Sequence, residues 1–177
     1  MVGVVLSMST SRWVRVGLVV FIAGFVLLVD SVSKAWAVSA LAGADLVLVP
    51  RALELTYAEN RGVAFSMFAE APSFVRLGIL PALALSAALL FFFRASSRRG
   101  TSLARIGAAL VVGGALGNLL DRVRLGHVVD FIHAHAGACL DYPVFNVADV
   151  AVFVGIALLI LDASRRGRVT ATRDRAA

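Results

Sequence analysis

The stretch Gly113–Ile132, GGALGNLLDRVRLGHVVDFI, followed at Tyr142–Val150 by YPVFNVADV, decides how this chain is read. It sets Asn118, Asp121, Arg122, Arg124, Asp130, Asn146 and Asp149 between two of the most apolar runs in the protein. Only 16% of the 177 residues are charged, and mean hydropathy is +0.90. A polar island in such a chain is costly, because ionisable groups in or beside a bilayer lose their water. Groups that stay there mark functional sites by default.

Outward from the island the chain is apolar. Its composition, 60% hydrophobic, exceeds the roughly one half usual in soluble domains, and the length fits one domain. A membrane-crossing helix needs about 20 mostly apolar residues. Stretches at about 16–36, 74–93, 102–120 and 144–161 qualify. They predict an integral membrane, mainly α protein with four transmembrane helices. Arg12 and Arg15 ahead of Val16–Val29, with Ala35 and Ala37 beyond, also have the shape of a signal peptide. Three further apolar runs favour an uncleaved first span instead.

Charge then sets the orientation. The basic residues are 16 Arg and one Lys, Lys34, against 11 acids, for a net +6. They gather at the ends of apolar runs rather than along one face, which suits lipid headgroups and excludes nucleic acid as the expected partner. Arg12 and Arg15 precede the first span. Arg94, Arg98, Arg99 and Arg105 lie between the second and third, and Arg165, Arg166, Arg168, Arg173 and Arg175 follow the fourth. Both termini and the middle loop are therefore expected in the cytoplasm. The mixed-charge loops at about 42–71 and 124–142 face outward. Leu46–Val49 and Leu53–Tyr57 read as strands about Pro50-Arg51, with Gly62–Phe68 a third possibility, so the first outer loop predicts a small extracytoplasmic β-containing region. Val128–Ile132 is a further strand-like run. Residues from about 165 to 177 read as a disordered basic cytoplasmic tail. Nothing fixes the oligomeric state; a monomer is expected.

Several constellations have both a structural and a chemical reading. Asp30, Ser33 and Lys34 share a helical face; they form an ion pair at a membrane boundary or part of a site. Lys34 is the only ammonium in an Arg-rich chain, and an ammonium does not substitute for a guanidinium. Glu59, Asn60, Arg61 and Gly62 carry turn chemistry, with Phe65 and Phe68 placed to dip into the interface. Gly113-x-x-x-Gly117 is a helix-packing face. Gly114, Asn118 and Asp121/Arg122 continue it as a polar seam. Asn146-x-x-Asp149 reads as a helix N-terminus. Asp130 and Asp149, two carboxylates in an apolar setting, share a proton more easily than both ionise. That leaves one as base and one as acid for amide hydrolysis by water. His127, His133 and His135 fall in one loop; His133-x-His135 could bind a metal on a strand, but no Cys or carboxylate cluster completes a site, so they read as ordinary loop residues. The lone Cys139 excludes an intrachain disulfide, and no Gly-x-Ser-x-Gly motif is present. No metal and no cofactor are expected.

Five blocks together resemble the lipoprotein signal peptidase (signal peptidase II) family of bacterial membrane aspartic peptidases. They are D-x-x-S-K at Asp30–Lys34, N-x-G-x-A-F at Asn60–Phe65, GGALGNLLDR at Gly113–Arg122, G-x-V-V-D-F at Gly126–Phe131 and F-N-x-A-D at Phe145–Asp149. The resemblance implies Asp130 and Asp149 as catalytic residues. It implies support or substrate contact from Asp30, Lys34, Asn60, Gly114, Asn118, Asp121, Arg122, Asn146 and Ala148. The implied partners are diacylglyceryl-modified prolipoproteins in the lipids of the bacterial cell membrane, cut on the amino side of the lipidated cysteine. The implied site lies at the extracytoplasmic face. The rival readings are a small ion- or proton-coupled transporter, which would carry its acids near the bilayer midplane, and a structural subunit using polar residues as glue.

Overall fold

A computed structural model describes residues 11–62, 71–97, 101–136 and 140–174. Helix α1 (Arg12–Ala40) starts at Ser11, whose side chain accepts from the backbone of Val14 at 3.3 Å. Its buried residues, Arg15, Val19, Ala23, Val26, Asp30, Lys34 and Ala37, recur every three or four positions and define one inward stripe. The remaining surface is apolar too: Phe21 is 72% exposed. A helix apolar on its outer face suits hydrocarbon as solvent.

Helix α2 (Leu80–Ser96) is entered through one wide π turn, Val75–Ile79, closed by Leu80 N–H donating to the Val75 carbonyl. Pro81 explains the turn. It has no N–H, and its ring crowds the preceding turn of a regular helix. Helix α3 (Ser102–Leu125) is capped by Thr101, whose hydroxyl accepts from Ala104 N–H at 3.1 Å. It stops at Gly126, which takes the left-handed conformation (φ 79°) that closes a helix C-terminus. Helix α4 runs Val147–Asp174.

Helix α3 is the central element and packs on the other three. Its glycines permit this. A Cβ on Gly113 would lie 2.8 Å from the Ala23 carbonyl oxygen of α1, and one on Gly114 would collide with the Ala148 carbonyl of α4. Gly107 and Gly155 form a further crossing that the spacing argument did not single out: a Cβ on either would fall within 2.8 Å of the other's carbonyl oxygen. At the lower end, Thr101 Oγ1 bonds Asp162, which pairs with Arg166 Nε at 2.9 Å, joining the α3 cap to α4.

The strands form one antiparallel sheet in the order β1 (Leu46–Val49), β2 (Leu53–Asn60), β3 (Val128–Ala136) and β4 (Leu140–Asp141). Ala58 faces Asp130, and Asn60 faces Val128. Phe131 packs on Ala37 and Leu41, which seats the sheet on the end of α1.

Among the described residues, three helices are long and apolar enough to cross a membrane, α1, α3 and Val147–Arg166 of α4; α2 offers a shorter apolar stretch, Leu80–Arg94. Three expectations change. The sheet draws on both outer loops, since Val128–Ala136 finds its hydrogen-bonding edge on β2. His133 and His135 consequently lie on a strand. The basic segment after Arg165 is helical to Asp174, as arginine favours a helix and its charge suits a helix C-terminus. The third expected strand, Gly62–Phe68, lies beyond Gly62 outside the described residues, as do Phe65, Phe68 and Cys139.

Candidate active site

Asp130 and Asp149 reach the same place by different routes. Asp130 is held by β3, whose Val129 N–H donates to Asp121 Oδ2 of α3 at 3.2 Å. Asp149 is in the first turn of α4. An isolated bridge joins their supports: Phe131 and Ile132 N–H donate to the Phe145 carbonyl at 3.0 and 2.8 Å, and Phe145 N–H donates to Ile132 O at 2.9 Å. That bridge presses Asn146 against β3. Phe145 stands in a sequence block, but its pairing with Ile132 is non-local and has no signal in the spacing.

Asn146 is fully buried and serves both carboxylates. Its Nδ2 donates to Asp130 Oδ1 at 2.6 Å. Its Oδ1 accepts from Asp149 N–H at 2.9 Å, while its own N–H donates to Asp149 Oδ2 at 3.2 Å. This reciprocal pair is a capping box. The helix-cap reading and the chemical reading of Asn146-x-x-Asp149 thus describe one arrangement. Asn60 Nδ2, from the end of β2, donates to Asp130 Oδ2 at 2.9 Å. Asn118 Nδ2 donates to Asp149 Oδ1 at 2.8 Å.

Behind these amides lies an ionic layer. Lys34 Nζ contacts Asp30 Oδ2 at 2.8 Å, Asp121 Oδ2 at 2.9 Å and Asn118 Oδ1 at 2.9 Å. Asp30 is fully buried, and its Oδ1 accepts from Ala148 N–H at 2.9 Å. The Asp30–Lys34 pair is therefore interior, linking α1, α3 and the α4 N-terminus. Gly117 leaves it room, since a Cβ there would be 2.5 Å from Asp30 Oδ2. Arg122 donates to the Asn118 carbonyl at 3.1 Å and to the Gly62 carbonyl at 2.6 Å. Its charge acts most on Asp149, then on Asp130 and Asp121.

Burial separates the two aspartates, Asp149 being only half-buried. Asp130 is 2% exposed. Burial lifts its carboxyl from 3.8 to about 6, and the nearby Asp149 charge adds to this, against the Asn60 and Asn146 hydrogen bonds and the Lys34 charge. Both aspartates open onto a cleft of about 570 Å³ shared with Asn60, Asn118 and Arg122. Tyr142–Phe145 forms its lip, and Val152, Phe153 and Ile156 of α4 line an apolar wall. The groove of about 340 Å³ between α1, α2 and α3 is lined by apolar residues and Gly24. The nine supporting residues expected from the sequence, Asp30, Lys34, Asn60, Gly114, Asn118, Asp121, Arg122, Asn146 and Ala148, lie in this network or in its helix packing.

Fold and site define a membrane-embedded helical protein with two interior carboxylates facing a cleft. A model of the signal peptidase II family matches residues 22–165. The lipoprotein signal peptidase of Pseudomonas fluorescens is 42% identical over 156 residues, covering 87% of this chain and 91% of the relative. That of Pseudomonas aeruginosa is 41% identical over 155 residues, 86% and 88% of the two chains, and that of Clostridium tetani 33% identical over 145 residues, 81% and 89%. A solved bacterial membrane enzyme superposes with a TM-score of 0.71 at 29% identity, covering 84% of this chain and 88% of its own. The chain belongs to the signal peptidase II family and is a peptidase.

Proposed function

We propose that this chain is an aspartic endopeptidase that removes the signal peptide from diacylglyceryl-modified prolipoproteins, cutting on the amino side of the lipidated cysteine. The observation that carries this reading is Asn146, whose buried amide and backbone tie Asp130 to Asp149 at the mouth of one cleft. The apolar wall of α4 is shaped for a signal helix, and the carboxylates lie where its scissile peptide would end.

Asp130 serves as the acid and Asp149 as the base: burial favours the protonated carboxyl at Asp130, while Asp149 lines the cleft together with Arg122. Asp149 takes a proton from water, and the oxygen attacks the scissile carbonyl. Asp130 donates its proton to the developing oxyanion, giving a neutral gem-diol. Collapse returns a proton to Asp130, and Asp149 delivers the proton it took to the leaving amine. Lys34 and Asp30 are buried and do not line the cleft; they position Asn118 and the α4 N-terminus.

The same reading places four spans in the bacterial cell membrane. The second is built from the π turn and α2, Val75–Ser96. Both termini face the cytoplasm, and the sheet and dyad lie at the extracytoplasmic edge. A transport path is the weaker alternative, because the acids gather where the helices meet the sheet.

The test is cleavage of a diacylglyceryl-modified precursor by purified protein. Asp130→Asn and Asp149→Asn are each expected to lose ~10²–10⁴-fold in kcat, the range of general acid–base contributions. Near-normal turnover by either folded variant overturns the dyad. Equal processing of unlipidated precursor overturns the lipid requirement.

A further inference from the structure

Away from the dyad, the described residues include one cluster able to share a cation: Glu54 on β2 with His133 and His135 on β3. Their ligand atoms all lie within 4.8 Å of one another. Glu54 and His133 face each other across the ladder. His133 and His135 are two positions apart, so both project from one side of the strand. Their rings are 5.1 Å apart and tilted by 38°. Asp130, an odd number of positions from each, belongs to the other side. The dyad and this cluster are thus separated by the sheet.

The contacts resemble a prepared metal site more than an ordinary surface pair. Asp141 Oδ1 on β4 is 2.6 Å from His133 Nε2, and Glu54 Oε1 is 2.7 Å from His133 Nδ1. On metal binding Asp141 keeps the Nε2 proton, and Nδ1 exchanges its hydrogen bond to Glu54 for the metal. This is the carboxylate–histidine pairing that orients ligating imidazoles. Tetrahedral ligands at about 2.0–2.1 Å from zinc stand about 3.3 Å apart. The Glu54 oxygen therefore needs to retreat by only a fraction of an ångström. Two imidazole nitrogens and one carboxylate oxygen suit a zinc-class ion, whereas calcium and magnesium require oxygen-rich shells of six or more ligands.

We propose that Glu54, His133 and His135 bind a divalent transition-metal ion of the zinc class, with Asp141 fixing the His133 ring and a fourth position open to water. The ion joins β2 to β3 and, through Asp141, to β4. Because β4 leads directly into Tyr142–Phe145, the loaded site stiffens the lip of the cleft without touching Asp130 or Asp149. The histidine pair is visible in the sequence, but its completing carboxylate lies 79 residues from His133.

The experiment uses the full chain in detergent, stripped with chelator and titrated with zinc chloride or cobalt chloride. It does not depend on peptidase activity. Expected results are about one ion per chain, four-coordinate cobalt absorption bands and a rise in Tm with zinc but not with magnesium or calcium. Glu54→Gln and His135→Asn should each weaken zinc binding at least tenfold, while His127→Asn retains it; circular dichroism and gel filtration check folding. Absence of the cobalt bands in the unaltered protein overturns the proposal, whatever the variants do. So does unchanged zinc affinity in folded Glu54→Gln and His135→Asn, or an equal loss in His127→Asn.

Discussion

Lys34 presents the three donors of an ammonium to three acceptors on α1 and α3, each within 2.9 Å. A planar guanidinium cannot reproduce that geometry in the same volume. Lys34→Arg is expected to destabilise by ~1–3 kcal/mol through overpacking and to lower kcat by displacing Asn118. Lys34→Met should cost ~3–5 kcal/mol, because it strands Asp30 and Asp121 without their cation. Denaturation of the purified variants checks both, and unaltered stability in Lys34→Met would refute the ionic layer. Asp130 supplies the pH test. Its carboxyl binds a proton more tightly in the fold, at about 6, than its ordinary 3.8. Its stabilising contribution is therefore complete below about 3.8 and lost as pH rises through about 6. Between pH 5 and 7 the Tm of the unaltered protein should fall relative to Asp130→Asn. Parallel Tm curves would show that Asp130 does not hold its proton in this way.

At the scale of elements, the α3–α4 crossing sets the position of Asp149. Gly114 lies against the Ala148 carbonyl, one residue before Asp149. Gly114→Ala should push the α4 N-terminus away, costing ~1–3 kcal/mol and lowering turnover by more than the stability change explains. Gly24→Ala is the control, since nothing lies within 4 Å of its added Cβ. It should be neutral or stabilising by up to ~1 kcal/mol, as alanine replaces glycine inside a helix. Equal effects at the two positions, read by Tm and by precursor cleavage, would remove the close-approach explanation. The capping box at Asn146 shows how an element end becomes a site. The interactions that start α4 also aim its first carboxylate.

For the whole molecule, the testable property is orientation. With Cys139 replaced, a cysteine at Arg51, in the turn between β1 and β2, should react with an impermeant thiol reagent in intact spheroplasts. One at Arg165 should react only after the membrane is opened; the reverse pattern would invert the proposed topology. Helix existence, the apolar spans and the identity of the polar residues were legible in the chain, because hydrophobic length and helical spacing are local properties. The short α2 was less so, since the effect of Pro81 on the preceding turn is conformational and leaves hydropathy unchanged. The pairing of β2 with β3 was hidden by some 70 intervening residues, and with it the meeting of Asn60 with Asp130 and of Glu54 with His133. Sequence by itself determined an apolar helical protein with an island of acids and amides near Asp130 and Asp149. Only the tertiary structure decided that Asn146 serves both carboxylates, that Lys34 neutralises the layer behind them, and that Asp130 is the more buried of the two. Those are consequences of which donors and charges come within a few ångströms, and burial and distance exist only once the helices have packed.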